Sequence, residues 1–246
     1  RDYRELYEYI NKKIDSEKKY YIFLDEVQNV NMFQKAVDGL YIKKNVDVYI
    51  TGSNAYLLSG ELATLLSGRF VEIKMLPLSF KEFLEAMPQN NKSQYECFLE
   101  YMEYGGMPGN LPILKENISD LDVYLEGIFS TIVYKDIMIR NNITDKTLLE
   151  NTLKFIFDSI GSPISTKKIS DTLTSKGIST CNHTVINYIN AFIDSFLIYK
   201  AERFDVKGKN LLVRDYKYYV ADVGLRSYLL GKKSGSDMGH ILENIV

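Results

Sequence analysis

Two short apolar runs constrain this chain more than any other feature. Tyr20–Leu24 is five apolar residues with no polar alternation, and Val46–Ile50 is a second such run, bracketed at its entry by Asn45 and Asp47. A run without alternation fits a strand covered on both faces, as in a parallel sheet. Between them Phe33, Val37 and Leu40–Tyr41 keep helical spacing, and before them so do Leu6, Ile10 and Ile14. After Thr51-Gly52-Ser53-Asn54 come a short helical stretch, 55–67, and a third expected strand, Val71–Met75. Strand, helix, strand, helix, strand predicts an α/β unit with a parallel sheet over residues 1–78.

Pro77 closes that pattern. Ser79 with Glu82 three residues on reads as a capping box. From Phe80 to about Asn142 the apolar residues keep helical spacing, broken by the loop Gly105-Gly106-Met107-Pro108-Gly109. Residues 79–146 are therefore expected to form a helical lid or linker. A third pattern covers 147–231. It holds a helix over 148–160, a second over 165–175 capped by Ser165 and stopped at Gly177, and a third that begins after Ser179 or Thr180. Two strands follow, 196–204 and 211–220, then a helix over 221–230. Three helices and a two-stranded ribbon predict a winged helix-turn-helix. Residues 232–237 read as a linker, and 238–246 as the opening of a further element.

Composition excludes several classes. With 46% hydrophobic residues, 25% charged residues and five prolines, the chain can build cores and is not a disordered polymer. A net charge of -2 over 246 residues does not call for nucleic acid as a whole. No stretch of about 18 apolar residues is present, so no membrane span is expected. Cys97 and Cys181 form no Cys-x-x-Cys pair and read as reduced or buried thiols. His183 and His240 are too isolated to be metal ligands. With no signal peptide at Arg1, a cytoplasmic location is the default expectation. Both termini read as cut within helical patterns.

Asp25-Glu26 stands at the carboxyl end of the first strand, the end at which open α/β sheets bind ligands. Two adjacent carboxylates there can hold Mg2+ through its water shell and polarise a water against a phosphoryl group. They can also simply begin a loop or cap the next helix. At the end of the second strand, Ser53 or Asn54 can bond a phosphate or orient a water, or form an ordinary turn. Arg69 can supply charge to a phosphate, or sit in a surface ion pair.

Residues 163–217 carry nine Lys/Arg against five Asp/Glu, a local excess of +4. Asn182, His183, Asn187 and Asn190 fall on the outward side of the third helix of this region. Lys167, Lys168 and Lys176 precede it, and Lys207 and Lys209 lie on the expected wing. Such a surface can read a DNA groove and follow its phosphates, or be a solvated protein-interaction face.

The phrases YYIFLDEVQNV, VYITGSNAYLLSGELATLLSGRF and IKMLPLSFKEF resemble the AAA-like P-loop ATPases of bacteria and archaea that carry a DUF4143-type C-terminal region. The resemblance extends over nearly the whole chain, and GHILENIV resembles the start of the restriction-endonuclease-like domain found there. It implies that Asp25 and Glu26 are the Walker B pair, with Asp25 holding Mg2+ through water and Glu26 catalytic. It implies Ser53 or Asn54 as sensor and Arg69 as an arginine finger, which in trans requires a homo-oligomer. ATP and Mg2+ are the implied cofactors of the intact protein. The family's Walker A loop, ending in Gly-Lys-Ser/Thr, is absent from residues 1–246 and is expected ahead of Arg1. This chain alone is therefore expected to bind ATP weakly and to be inactive, and Glu243 to show no nuclease activity. The alternative is a non-enzymatic winged-helix module that binds DNA or a protein.

Overall fold

The computed structural model describes residues 2–53, 68–87, 92–202, 215–231 and 237–246. The chain divides into two compact units, Arg1–Lys74 and Met75–Val246.

In the first unit, α1 (Tyr3–Asn11) is capped by Asp2, whose side chain accepts from the Arg4 amide. Strand β1 (Tyr20–Leu24) pairs in parallel with β2 (Val46–Ile50), Tyr20 opposite Val46 and Leu24 opposite Ile50. Helix α2 (Phe33–Tyr41) is the crossover between them. Phe33 and Val37 of α2 pack with Val27, against Leu24, Val48 and Ile50.

Two expectations fail here. Coverage of β1 on both faces is not seen, since Tyr21 and Phe23 are exposed and Phe23 stacks on the exposed Tyr49 at 4.8 Å. One sheet face carries α2; the other presents aromatic side chains among the described residues. The third strand also fails, because Val71–Met75 carries no ladder and Val71 is 89% exposed. Its Val71, Ile73 and Met75 have strand spacing, but a strand forms only where a neighbouring edge completes its hydrogen bonds. Residues 55–67, expected to be helical, lie outside the described set.

The second unit has one large core and a smaller cluster of Phe83, Met87 and Tyr101. Helices α3 (Phe80–Ala86), α4 (Gln94–Tyr104), α5 (Asn110–Glu116) and α6 (Leu121–Thr131) come first, and α6 runs on as a π-helical stretch, Ile132–Ile139. Ser79 and Glu82 form the expected capping box on α3, and Ser93 with Glu96 repeats it on α4. Then come α7 (Lys146–Asp158), α8 (Thr166–Ser175), α9 (Asn182–Asp194), β3 (Ile198–Ala201), β4 (Lys217–Val220), α10 (Val223–Leu230) and α11 (Met238–Ile245). Leu125 and Phe129 of α6 share the core with Leu153 and Phe157 of α7, Ile189 and Phe192 of α9, and Tyr218 of β4.

Ser165 caps α8 through the Lys168 amide. Gly177 ends that helix at φ +83°, and Ile178 donates back to the Leu173 carbonyl as a Schellman turn requires. Helix α9 begins one or two residues later than expected. Cys181 stands at its N-cap position in place of Ser179 or Thr180, and its Sγ meets Thr184 Oγ1 at 3.3 Å. Strands β3 and β4 are antiparallel, Ile198 opposite Val220, and Ile164 makes a further antiparallel bridge to Tyr216.

The glycine loop at 105–109 is clamped by Asp222. This buried carboxylate accepts from the Gly106 amide at 2.7 Å and caps α10 through the Leu225 amide at 3.1 Å. Gly105 has φ +77°, and a Cβ there would lie 2.2 Å from Asp222 Oδ1. Burial pushes the Asp222 carboxyl up to about 6 against the lowering effect of its backbone donors. Helix α11 is pinned to β4 by Asn244, which accepts from the Val220 amide at 2.8 Å and donates to its carbonyl at 3.0 Å.

Candidate functional site

Parallel pairing of β1 with β2 brings their carboxyl ends side by side, so Asp25 and Glu26 leave the sheet beside Thr51. The Thr51 hydroxyl donates to Asp25 Oδ1 and accepts from the Glu26 amide at 3.2 Å. The Val27 amide donates to the Thr51 carbonyl at 3.3 Å, and the Thr51 amide to the Leu24 carbonyl at 3.0 Å. One threonine thus fixes the start of both loops. Glu26 is left-handed, at φ 49° and ψ 45°, a conformation a non-glycine residue keeps only where its surroundings hold it. Its Oε2 accepts from Gln28 Nε2 at 2.5 Å and from Ser53 Oγ at 3.4 Å.

Asp25, Glu26 and Ser53 are therefore one hydrogen-bonded cluster. Asn54 lies outside the described residues. Arg69 is held elsewhere on the unit, with Nη1 3.5 Å from Asp38 Oδ1 and the guanidinium over the Tyr41 ring, both on α2. Its side chain is half-exposed, and such pairs contribute about 0–1 kcal/mol, so little holds Arg69 where it stands.

The donors of the cluster are carboxylates and hydroxyls, hard oxygens of the kind Mg2+ takes. Two exposed carboxylates do not enclose an ion, and Mg2+ prefers to keep most of its water. The donor set therefore fits an ion held from one side. Among the described residues no group of three His, Cys, Asp or Glu side chains comes together to hold a metal.

Residues nominated for DNA lie in the second unit. Lys167 and Lys168 are exposed on α8, and Asn182, His183 and Asn187 are exposed on α9. Asn187 Nδ2 lies 3.3 Å from His183 Nδ1. Lys207 and Lys209 lie outside the described residues. Glu243 of α11 is taken up by β4, accepting from Lys217 Nζ at 2.6 Å and Tyr219 Oη at 2.7 Å, and these bonds, Lys217 first, hold its carboxyl below the usual range. No helix among the described residues is long and apolar enough to cross a membrane.

Sequence reasoning missed two members of this hydrogen-bonded cluster. Thr51 was legible in principle, because parallel register places it opposite Asp25. Gln28 was not, because its role depends on a side-chain orientation.

Residues 1–84 match the family model described as an AAA domain. An uncharacterized protein of Haemophilus influenzae is 43% identical over the whole of this chain, which covers 61% of that protein. The uncharacterized protein MJ1544 of Methanocaldococcus jannaschii is 33% identical over 92% of this chain, covering 51% of its own length. The chain thus spans roughly half to three fifths of the curated relatives it matches. Kinship with the DUF4143-type proteins rests on the quoted motifs alone. Residues 95–236, more than half of the chain, match the model described as Domain of unknown function (DUF8612), and the chain belongs to that family.

Proposed function

We propose that the first unit carries the magnesium-side half of an ATP-hydrolysing site. The observation that carries this reading is the pair of adjacent carboxylates at the carboxyl end of β1, fixed by Thr51 and Ser53 at the same end of β2. The AAA-domain match over residues 1–84 supports it. In the reaction a water oxygen bonds to the γ-phosphorus as the bond to the β–γ bridging oxygen breaks. Glu26 takes the water's proton, and ADP leaves with the electron pair. Asp25 would hold Mg2+ through water, and the ion would offset charge on the phosphates. Ser53 or Asn54 would sense the terminal phosphate. Arg69, released from its weak pair with Asp38, would serve as a finger in a neighbouring copy of a homo-oligomer.

The phosphate cradle of such a site needs a glycine-rich loop ending in Lys-Ser/Thr, which these 246 residues do not contain. Isothermal titration is expected to show weak binding of Mg-ATP to this chain, and micromolar affinity would count against the half-site reading. In the protein at its full natural length, Glu26→Gln is expected to abolish turnover while ATP stays bound. Unchanged hydrolysis in that variant would remove Glu26 from the mechanism.

A second reading concerns residues 147–231, which we infer to be a winged helix. The helix order α7, α8, α9, the β3–β4 ribbon and the Ile164–Tyr216 bridge support it. The exposed Asn182, His183 and Asn187 beside Lys167 and Lys168 favour DNA as its partner. A gel shift on duplex DNA should appear at low salt and weaken steeply as salt rises. It should be lost in a Lys167→Glu/Lys168→Glu variant, and absence of any shift at low salt would leave the protein-interaction role.

A further inference from the structure

The residue that most directly controls Glu26 is two positions along the chain. Val27–Asn29 forms a single tight turn, with the Asn29 amide donating to the Glu26 carbonyl at 3.1 Å and the Val30 amide to the Val27 carbonyl at 3.0 Å. Val27 is 2% exposed and anchors the turn in the small core under the sheet. The reversal folds the Gln28 side chain back onto the Glu26 carboxylate, where Nε2 reaches Oε2 at 2.5 Å. A carboxylate only accepts, so the amide must present nitrogen and not oxygen to it. The other end of that amide, Oε1, is buried and accepts no hydrogen bond from the described residues. The bond to Glu26 therefore orients the amide, with its nitrogen toward the site. A buried carbonyl left in this way is uncommon in folded proteins, which makes the arrangement a feature to be explained.

We propose that Gln28 is a positioning residue of the ATP site, whose N–H holds the Glu26 carboxylate at the carboxyl ends of β1 and β2. This rests on the reading of Glu26 as the base of ATP hydrolysis. The division of labour is specific. Thr51 fixes the Glu26 backbone through its amide, and Gln28 fixes the Glu26 side chain. Among the described residues the other donor to this carboxylate is Ser53 at 3.4 Å, a longer and weaker contact. Removing the Gln28 donor would let the carboxylate turn away while leaving the nucleotide's own contacts intact.

Gln28→Met keeps the length and packing of the side chain and removes the donor. In the protein at its full natural length it is expected to lower kcat by about tenfold or more, the usual scale of a misplaced base. Affinity for a non-hydrolysable Mg-ATP analogue and the Tm should stay unchanged, a split that loss of structure would not give. The second measurement uses the 246-residue chain without nucleotide. The Gln28 side-chain amide resonances should lie downfield of the other glutamine amides and return to their range in Glu26→Ala. If wild type hydrolyses ATP and Gln28→Met matches its kcat, the role of Gln28 is overturned and the ATPase reading stands. If wild type shows no hydrolysis but the amide responds to Glu26→Ala, the ATPase reading falls and the hold of Gln28 on Glu26 stands. Amide resonances indifferent to Glu26→Ala overturn the proposal in either case.

Discussion

Replacing Asp222 by Ala should cost more stability in acid than at neutral pH, the reverse of what a surface carboxylate shows. The side chain accepts from Gly106 and Leu225, and backbone donors at Gly224 and Met107 also face it. Truncation leaves the Gly106 amide unpaired in the interior, which costs about 1–3 kcal/mol. Loss of the α10 cap adds about 1 kcal/mol. Against this, the wild-type protein bears a buried charge at neutral pH. Its carboxyl is pushed from 3.8 to about 6 by burial, with no opposite charge to offset it. A folded pKa above the unfolded one gives a contribution that is full below the unfolded value and is lost as pH rises through the folded value. The whole shift corresponds to about 3 kcal/mol, of which about 2 kcal/mol falls between roughly pH 4.5 and pH 7.5. The cost of Asp222→Ala should therefore be about 2 kcal/mol larger at the lower pH. Urea denaturation of both proteins at both pH values, followed by circular dichroism, measures the difference, and amide exchange at Gly106 and Leu225 assigns it to this joint. A cost equal at the two pH values, or larger at the higher one, would refute the reasoning.

Two glycines should respond in opposite directions. A Cβ at Gly224 would lie 2.0 Å from the Tyr104 carbonyl oxygen, a backbone atom that cannot swing aside, so Gly224→Ala should destabilise by about 3 kcal/mol. Gly127 of α6 has nothing within 4 Å of its Cβ position, so Gly127→Ala should stabilise by about 0.5–1 kcal/mol, both read from thermal unfolding. Asn244→Ala removes both bonds to Val220 and should cost about 1–2 kcal/mol, with faster amide exchange at Val220 as its local signature.

Features set by neighbours in sequence were readable, and features set by distant partners were not. The Ser79–Glu82 box, the Ser165 cap and the Gly177 stop each involve residues a few positions apart, and each stands where the pattern put it. The apolar run Tyr20–Leu24 identified a parallel strand but not its exposed face, because hydrophobicity reports what a residue tolerates, not what covers it. Val71–Met75 has the composition of a strand, yet pairing is a property of two segments and one segment cannot declare it. Asp222 was passed over for the same reason. Its partner Gly106 lies 116 residues away, and a lone aspartate before a helix reads as an ordinary cap.

The cluster at the carboxyl ends of β1 and β2 shows how far position alone can lead. Asp25 and Glu26 stood out because open α/β sheets bind ligands at the carboxyl ends of their strands. Parallel register then makes Thr51 a necessary neighbour, since Leu24 opposite Ile50 leaves Asp25 opposite Thr51. What register cannot supply is the state of the carboxylates. Asp25 is tied by a hydroxyl that also braces the backbone of Glu26, so the two acids are mechanically linked while their side chains have separate holders. That separation is what a site needs if one acid is to face an ion and the other a water. It follows from a left-handed residue and the three-residue turn Val27–Asn29, local strain that a sequence pattern does not display.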